Sequence, residues 1–273
     1  MDHTFRILHP TDLREAGRTA FLHALKIAVA LRGKLTVLHV KREGEEVGWD
    51  DLPGVRGTLH RWGLLPANAD GGQVAALGLA VRKVIAKDDD PVRACLEHLA
   101  GHPADLMVLA TSQHQGRARW LDRAVSEPLA REAGLPALLV PQNAPGFVRD
   151  ADGSLDLDRV LFPVAPEPRP ARAAAFAARL LEGLGFTGVI DVVHVGDHAT
   201  MPAFDAPASA GMVWERRAMP GEVEPTLVRE SGTSGLVVMP TQGHHGFLDV
   251  LRGSTTERVL RNATCPVLAF PAA

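Results

Sequence analysis

The sequence predicts an α/β protein built as two tandem doubly wound domains, each a five-stranded parallel sheet flanked by helices. Three observations lead there. The chain repeats itself, short apolar runs alternate with longer helical patterns, and most of those runs are continuous rather than alternating. Its 273 residues leave room for two domains at roughly 150 residues each.

The repeat is the strongest of the three. Sliding the chain by 130 residues lays 106–141 over 236–271 without a gap, and twelve of 36 positions are identical. The front ends match as well, with Arg6–Asp12 over Arg159–Ala165 and Val37-Leu38-His39-Val40 over Val192-Val193-His194-Val195. A duplication on this scale is read before any single element.

In the first half, Phe5–His9 reads as a strand and Leu13–Leu31 carries apolar residues at helical spacing. Gly33 is placed to close that helix. Leu35–Val40 is a second strand, and the polar, Gly-rich stretch 43–73 reads as a long connection, with a helical turn expected near 74–79. Leu79–Ala86 is the third strand and Pro91–Ala100 a helix that proline can start. Leu106–Ala110 is the fourth strand. A helix over 122–133 then leads to a fifth strand, Ala137–Val140. Continuous apolar strands are covered on both faces, which parallel sheets with crossover helices provide. The second half repeats the plan over 159–271, with a shorter third helix at 223–231. The boundaries expected are residues 1–142 and 158–273, joined by a Pro-, Gly- and Asp-rich linker at 143–157.

Composition excludes several classes. The net charge is −3, and neither half is basic: 19 Lys/Arg against 18 Asp/Glu over 1–150, then 10 against 14. No nucleic-acid partner is expected on charge. Met1–Arg6 leads directly into a strand without the layout of a signal peptide, and no apolar run reaches a membrane span. Cys95 and Cys265 stand far apart in apolar patterns, as buried thiols in a reducing compartment do. The expected location is cytoplasmic, with no membrane partner.

In an open parallel sheet, ligands sit at the carboxyl ends of the strands, where strand order reverses. Here that selects the ends of the first two strands of each half and the loop from the fourth strand into its helix. A helix start offers free N–H groups to an anion. These same places resemble the universal stress protein family, through Ile7-Leu8-His9-Pro10-Thr11-Asp12, Val37-Leu38-His39-Val40, and Gly253-Ser254-Thr255-Thr256-Glu257-Arg258-Val259-Leu260 leading to Cys265-Pro266-Val267-Leu268. The resemblance covers almost the whole chain, twice. It implies the adenine nucleotide alpha hydrolase-like fold and an adenine nucleotide, ATP or AMP, as cofactor. It implies a stress-response binding or signalling role, with a protein partner still to be identified; the alternative is that both pockets are vestigial and the chain acts by protein–protein interaction alone. It also implies that the last strands, Ala137–Val140 and Val267–Phe270, pair within the chain as a pseudo-dimer, with a further homodimer left open.

The ATP-binding branch has a phosphate loop of Gly, two residues, Gly, nine residues, Gly, then Ser or Thr. In the second half these positions are Pro240, Gly243, Gly253 and Ser254, but the strand-one carboxylate position is Ala165. In the first half the carboxylate survives as Asp12, while the loop positions are Ala110, Gln113, Arg123 and Ala124. A lost charge-assisted hydrogen bond is worth about 1.5–3 kcal/mol, or about one to two decades in Kd. Residues with Cβ in place of a left-handed glycine cost roughly 1–2 kcal/mol each. Nucleotide binding is therefore expected in the second half, through Gly243, Gly253, Ser254 and Thr255, with Val195 offering backbone groups to the base. Asp12 and Val40 are the corresponding adenosine-side groups of the first half. In that half Arg117, Arg119 and Arg123 are left to attract a small anion, or Arg123 to fill the pocket.

Plainer roles compete at each position. Ser254 with Glu257 also makes a helix capping box, which does not exclude a phosphate contact. Asp12 also fits as the N-cap of a helix beginning at Leu13. His39 and His194 read as packed, hydrogen-bonded core residues. His194, His198, His244 and His245 lack compact ligand spacing, so no metal site is expected. No Walker loop or nucleophile elbow is present, and the second half has no lysine. No catalytic residue is expected, and slow hydrolysis of bound ATP is the most an enzyme reading allows.

Overall fold

A computed structural model describes residues 4–111, 125–142, 144–241 and 255–271. The first half runs β1 (Arg6–Pro10), α1 (Arg18–Ala30), β2 (Lys34–Lys41), α2 (Val55–Arg61), α3 (Gly71–Ala76), β3 (Ala80–Lys87), α4 (Pro91–Gly101), β4 (Leu106–Thr111), α5 (Ser126–Ala133) and β5 (Ala137–Pro141). The second runs β6 (Arg159–Pro163), α6 (Ala171–Leu184), β7 (Val189–Val195), β8 (Val213–Met219), α7 (Val223–Ser231), β9 (Leu236–Thr241), α8 (Thr255–Asn262) and β10 (Val267–Pro271). Pro91 starts α4 as expected, behind Asp90, whose carboxylate accepts from the Val92 and Arg93 amides.

All ten strands form one sheet, in the order β3-β2-β1-β4-β5-β10-β9-β6-β7-β8. Each half is parallel and doubly wound. The halves meet where β5 and β10 pair antiparallel, Leu138 facing Leu268, with Ala137 opposite Ala269 and Leu139 opposite Val267. Leu138 and Leu268 are the same position of the repeat, so the pseudo-two-fold axis passes between them. The expected internal pseudo-dimer is what forms.

One face of the sheet carries a single apolar core shared by both halves, with α1 and α6 packed side by side. Phe5, Phe176 and Phe270 run across that junction, with ring centroids 6.1 and 5.4 Å apart. The other face carries two separate cores, one under α4 and α5, the other under α7 and α8. Cys95 and Cys265 are buried there, and burial pushes both thiols up to about 12.

Three details depart from the sequence reading. The first helix starts at Arg18, not Leu13. Leu13 takes φ 62, and Thr11 and Asp12 accept the Leu13 and Arg14 amides in a tight turn that leads to a single 3-10 turn at Glu15–Gly17. Asp12 therefore does not cap α1. The left-handed residue after α1 is Arg32, at φ 49, rather than Gly33. Gly33 is needed for close approach instead, since a Cβ there would stand 2.5 Å from the Phe5 carbonyl. Gly188 meets the Asp158 carbonyl in the same way before β7. Finally, the stretch 43–73 holds α2, which buries Val55 and Leu59 among Leu52, Trp62 and Leu65.

The segment between the halves is packed. Phe147 is fully buried, and Val148 bridges Leu155. The Phe147 amide donates to His23 Nε2 at 3.0 Å, while His23 Nδ1 donates to the Thr19 carbonyl at 2.7 Å. Asp150 receives Arg18 and Arg61, and its carbonyl accepts from the Trp62 indole.

Candidate functional site

Both switch points are open. β1 and β4 pair only at Ile7–Leu106 and Leu8–Met107, and β6 and β9 only at Val160–Leu236 and Leu161–Val237. Beyond those residues no further pair joins these strands among the described residues, and the strand order puts each half's switch-point crevice at the carboxyl end, between its first and fourth strands. This is where doubly wound sheets bind ligands.

A histidine organises the mouth of each crevice. His39 Nδ1 donates to the Thr11 carbonyl at 2.9 Å, and His194 Nδ1 donates to the Val164 carbonyl at 3.1 Å. Thr11 and Val164 are equivalent in the repeat. Their amides in turn donate to Leu38 and Val193, both at 2.9 Å. The imidazoles thus hold the first carbonyl past the end of each half's first strand, where the backbone ladder ends. Backbone groups of a parallel strand alternate in direction. Val40 and Val195 therefore aim their N–H and C=O the same way as Leu38 and Val193, over the end of the first strand. As expected, both histidines are buried core residues. His194 Nε2 also lies 2.9 Å from the Thr200 hydroxyl, so both its nitrogens are engaged within the fold.

Asp12 stands at the first mouth, its side chain 48% exposed, with Oδ1 accepting from the Arg14 amide at 3.0 Å. Ala165, its counterpart, is exposed and carries no charge. Pro240 lies inside β9, opposite Phe270. Val237 bonds Pro266 on the β10 side, so the Pro240 nitrogen faces β6, where pairing has already stopped. The missing N–H costs no ladder bond there. α8 begins at Thr255. Gly243, Gly253 and Ser254 lie outside the described residues, as do Gln113, Arg117, Arg119, Arg123 and Ala124 of the first half and His244 and His245 of the second. In the first half, Ser126 ties the start of α5 to β4, donating to the Ala110 carbonyl at 2.6 Å.

Sequence reasoning missed His9. It is buried between β1 and β4, Nδ1 donating to the Val108 carbonyl at 2.9 Å just where the β1–β4 ladder stops. Burial pushes it down to about 4. Its counterpart Phe162 packs instead against Trp214 and Phe204. The signal was a histidine inside an apolar strand, which by pattern alone does not differ from any core position.

The universal stress protein family model matches residues 4–141 and 213–271. The chain belongs to the universal stress protein family. A universal stress protein of Mycobacterium tuberculosis (strain ATCC 25618 / H37Rv) is 27% identical, with 86% of each chain covered. A universal stress protein of Archaeoglobus fulgidus DSM 4304 matches in structure with a TM-score of 0.62 at 19% identity, over 99% of this chain and 97% of that one. A functionally unknown protein of Pseudomonas aeruginosa PAO1 matches with a TM-score of 0.61 at 13% identity, over 98% and 92%. At such identities the structural likeness shows the fold alone. Among the described residues, no helix is long and apolar enough to cross a membrane.

Proposed function

We propose that this universal stress protein is a cytoplasmic stress-linked binding or signalling module that holds an adenine nucleotide, ATP or AMP, in its second-half crevice. The observation that carries this reading is a juxtaposition at one end of the sheet. The backbone of Val195 is turned out over the end of β6, and α8 starts at Thr255 just after Gly253-Ser254. A helix start favours phosphate. Gly243, Gly253, Ser254 and Thr255 would hold the phosphates, and Val195 the base. The first half keeps Asp12 and Val40 on the adenosine side but lacks the loop glycines, so it contributes architecture rather than a second nucleotide. No group in either crevice is assigned to a chemical step.

The test is mass spectrometry and ultraviolet absorbance of protein purified without added nucleotide. A co-purified adenine nucleotide, lost in a Gly253→Arg, Ser254→Ala variant, supports the proposal. If none co-purifies and millimolar ATP releases no heat on titration, the proposal fails and a protein partner alone remains as the ligand. Phosphate release above the blank, abolished by the same variant, would instead make the chain a slow ATPase.

A further inference from the structure

At the opposite end of the sheet, a cleft of about 350 Å³ lies where the amino ends of β1, β2 and β3 meet the last turn of α4. Its walls include Arg6, Lys34, Thr36, Arg82, His98 and His102. The strand register explains why these cations gather. Arg6 is opposite Lys34, and Thr36 opposite Arg82. Leu8, Leu38 and Val84 belong to the core under α4. The two-residue period of a strand puts Arg6, Lys34, Thr36 and Arg82 on that same face.

Arg6 is held by Asp105, with bonds of 3.2 and 3.1 Å. Among the described residues, Lys34 and Arg82 form no ion pair. The rings of His98 and His102 stack 4.6 Å apart at 11°, and His98 Nε2 is buried without a hydrogen-bond partner. Burial lowers the His98 pKa, and His102 and Arg82 lower it further, as a locally positive field does. The C-terminal dipole of α4 opposes that field with only about half a unit charge. Against it stand the full charges of Lys34 and Arg82.

The second half shows what this place requires. Arg159 is the counterpart of Arg6, and Asp191 of Thr36, since Leu8 pairs Thr36 as Leu161 pairs Asp191. Asp191 is 1% exposed and binds both Arg159 and Arg217, the latter also held by Glu230. That half carries its own anion. The first half has a threonine in that position, and its one carboxylate there, Asp105, is taken up by Arg6, which leaves Lys34 and Arg82.

We propose that the first-half cleft is a second ligand site, taking a small phosphate-bearing anion in the position that Asp191 fills in the second half. Its size is that of a small-molecule pocket, and an arginine fork with stacked imidazoles suits a phosphate monoester. The site is distinct from the nucleotide crevice and stands or falls separately from it.

The test follows the histidine Cε1–H signals of the full chain by NMR while inorganic phosphate is added, with chloride at matched ionic strength as reference. Phosphate should shift the His98 and His102 signals saturably and leave His39 and His194 in place. Arg82→Glu, at an exposed position, should weaken binding at least about tenfold, the worth of one charge-assisted bond. Thr36→Asp should abolish it by supplying the anion from within. The Gly253→Arg, Ser254→Ala variant should bind as the parent does. The proposal is overturned if chloride gives the same shifts, if neither signal moves, or if a Thr36→Asp chain, folded by circular dichroism, binds phosphate as tightly as the parent.

Discussion

Lowering the pH from 7 to 5 should destabilise this protein through two buried histidines, His23 and His9. His23 is the clearer case. Its Nδ1 must carry the proton given to the Thr19 carbonyl, and its Nε2 must present a lone pair to the Phe147 amide. A second proton would set N–H against N–H inside a closed core. Burial holds the ring down to about 4, against an ordinary 6.5. Between those values the unfolded chain binds a proton that the native chain refuses, so stability falls as pH falls through the window. Above 6.5 both states are neutral, and below about 4 both are protonated, so the loss is confined between them. At pH 5 it amounts to about 2 kcal/mol for His23, by linkage. His9, also held at about 4, adds about as much. Urea unfolding followed by circular dichroism at pH 7 and pH 5 measures the sum. In His23→Asn the difference between the two pH values should shrink by about 2 kcal/mol, whatever the variant's own stability. An undiminished difference in both His23→Asn and His9→Asn would refute the reasoning.

Other expectations follow from single contacts. Phe147→Ala should cost about 3–5 kcal/mol in the same urea assay, because the ring is fully buried and meets His23 edge-on at 4.3 Å. A cost under about 1 kcal/mol would mean that the segment between the halves is not part of the core. Asp191→Asn should cost about 1–3 kcal/mol; losing one member of a buried pair costs more, but Arg159 and Arg217 are about 40% exposed and water absorbs part of it. His39→Ala should cost about 1 kcal/mol and loosen Thr11, read as faster amide exchange at Leu13 and Arg14. Cys95 and Cys265 should resist a thiol reagent in the folded chain and both react in urea; labelling without denaturant would contradict their burial.

The fold was legible because the duplication and the continuous apolar strands are properties of the whole chain. Leu138 over Leu268 in the repeat became Leu138 against Leu268 in the sheet. What was not legible depended on contacts between distant segments. α2 is seven residues with a glycine in it, too short and too flexible to register by periodicity. It exists because Val55, Leu59 and Trp62 bury against the first-half core. The start of α1 moved for a local reason, since Thr11 and Asp12 bond the next amides and Leu13 turns left-handed. Propensity favoured helix there, but the side-chain turn competed successfully with it. Gly33 was read as closing the helix but serves close approach instead, because a carbonyl 28 residues upstream is invisible in a helix-ending pattern.

The repeated Val-His-Val ends became the matched Thr11–His39 and Val164–His194 clamps. Pro240 is instructive in a different way. As a loop residue it raised the question of left-handed backbone, yet it lies in β9 with its nitrogen toward an unpaired side. Its substitution for glycine therefore says little against phosphate binding, and the burden falls on Gly243, Gly253 and Ser254. The two halves have diverged at both ends of the sheet, and in opposite senses. At the carboxyl end the first half keeps Asp12 and the second loses it. At the amino end the second half keeps Asp191 and the first has Thr36. None of these four positions belongs to the shared apolar core beneath α1 and α6. The antiparallel pairing of β5 and β10 holds both halves in one sheet across these differences.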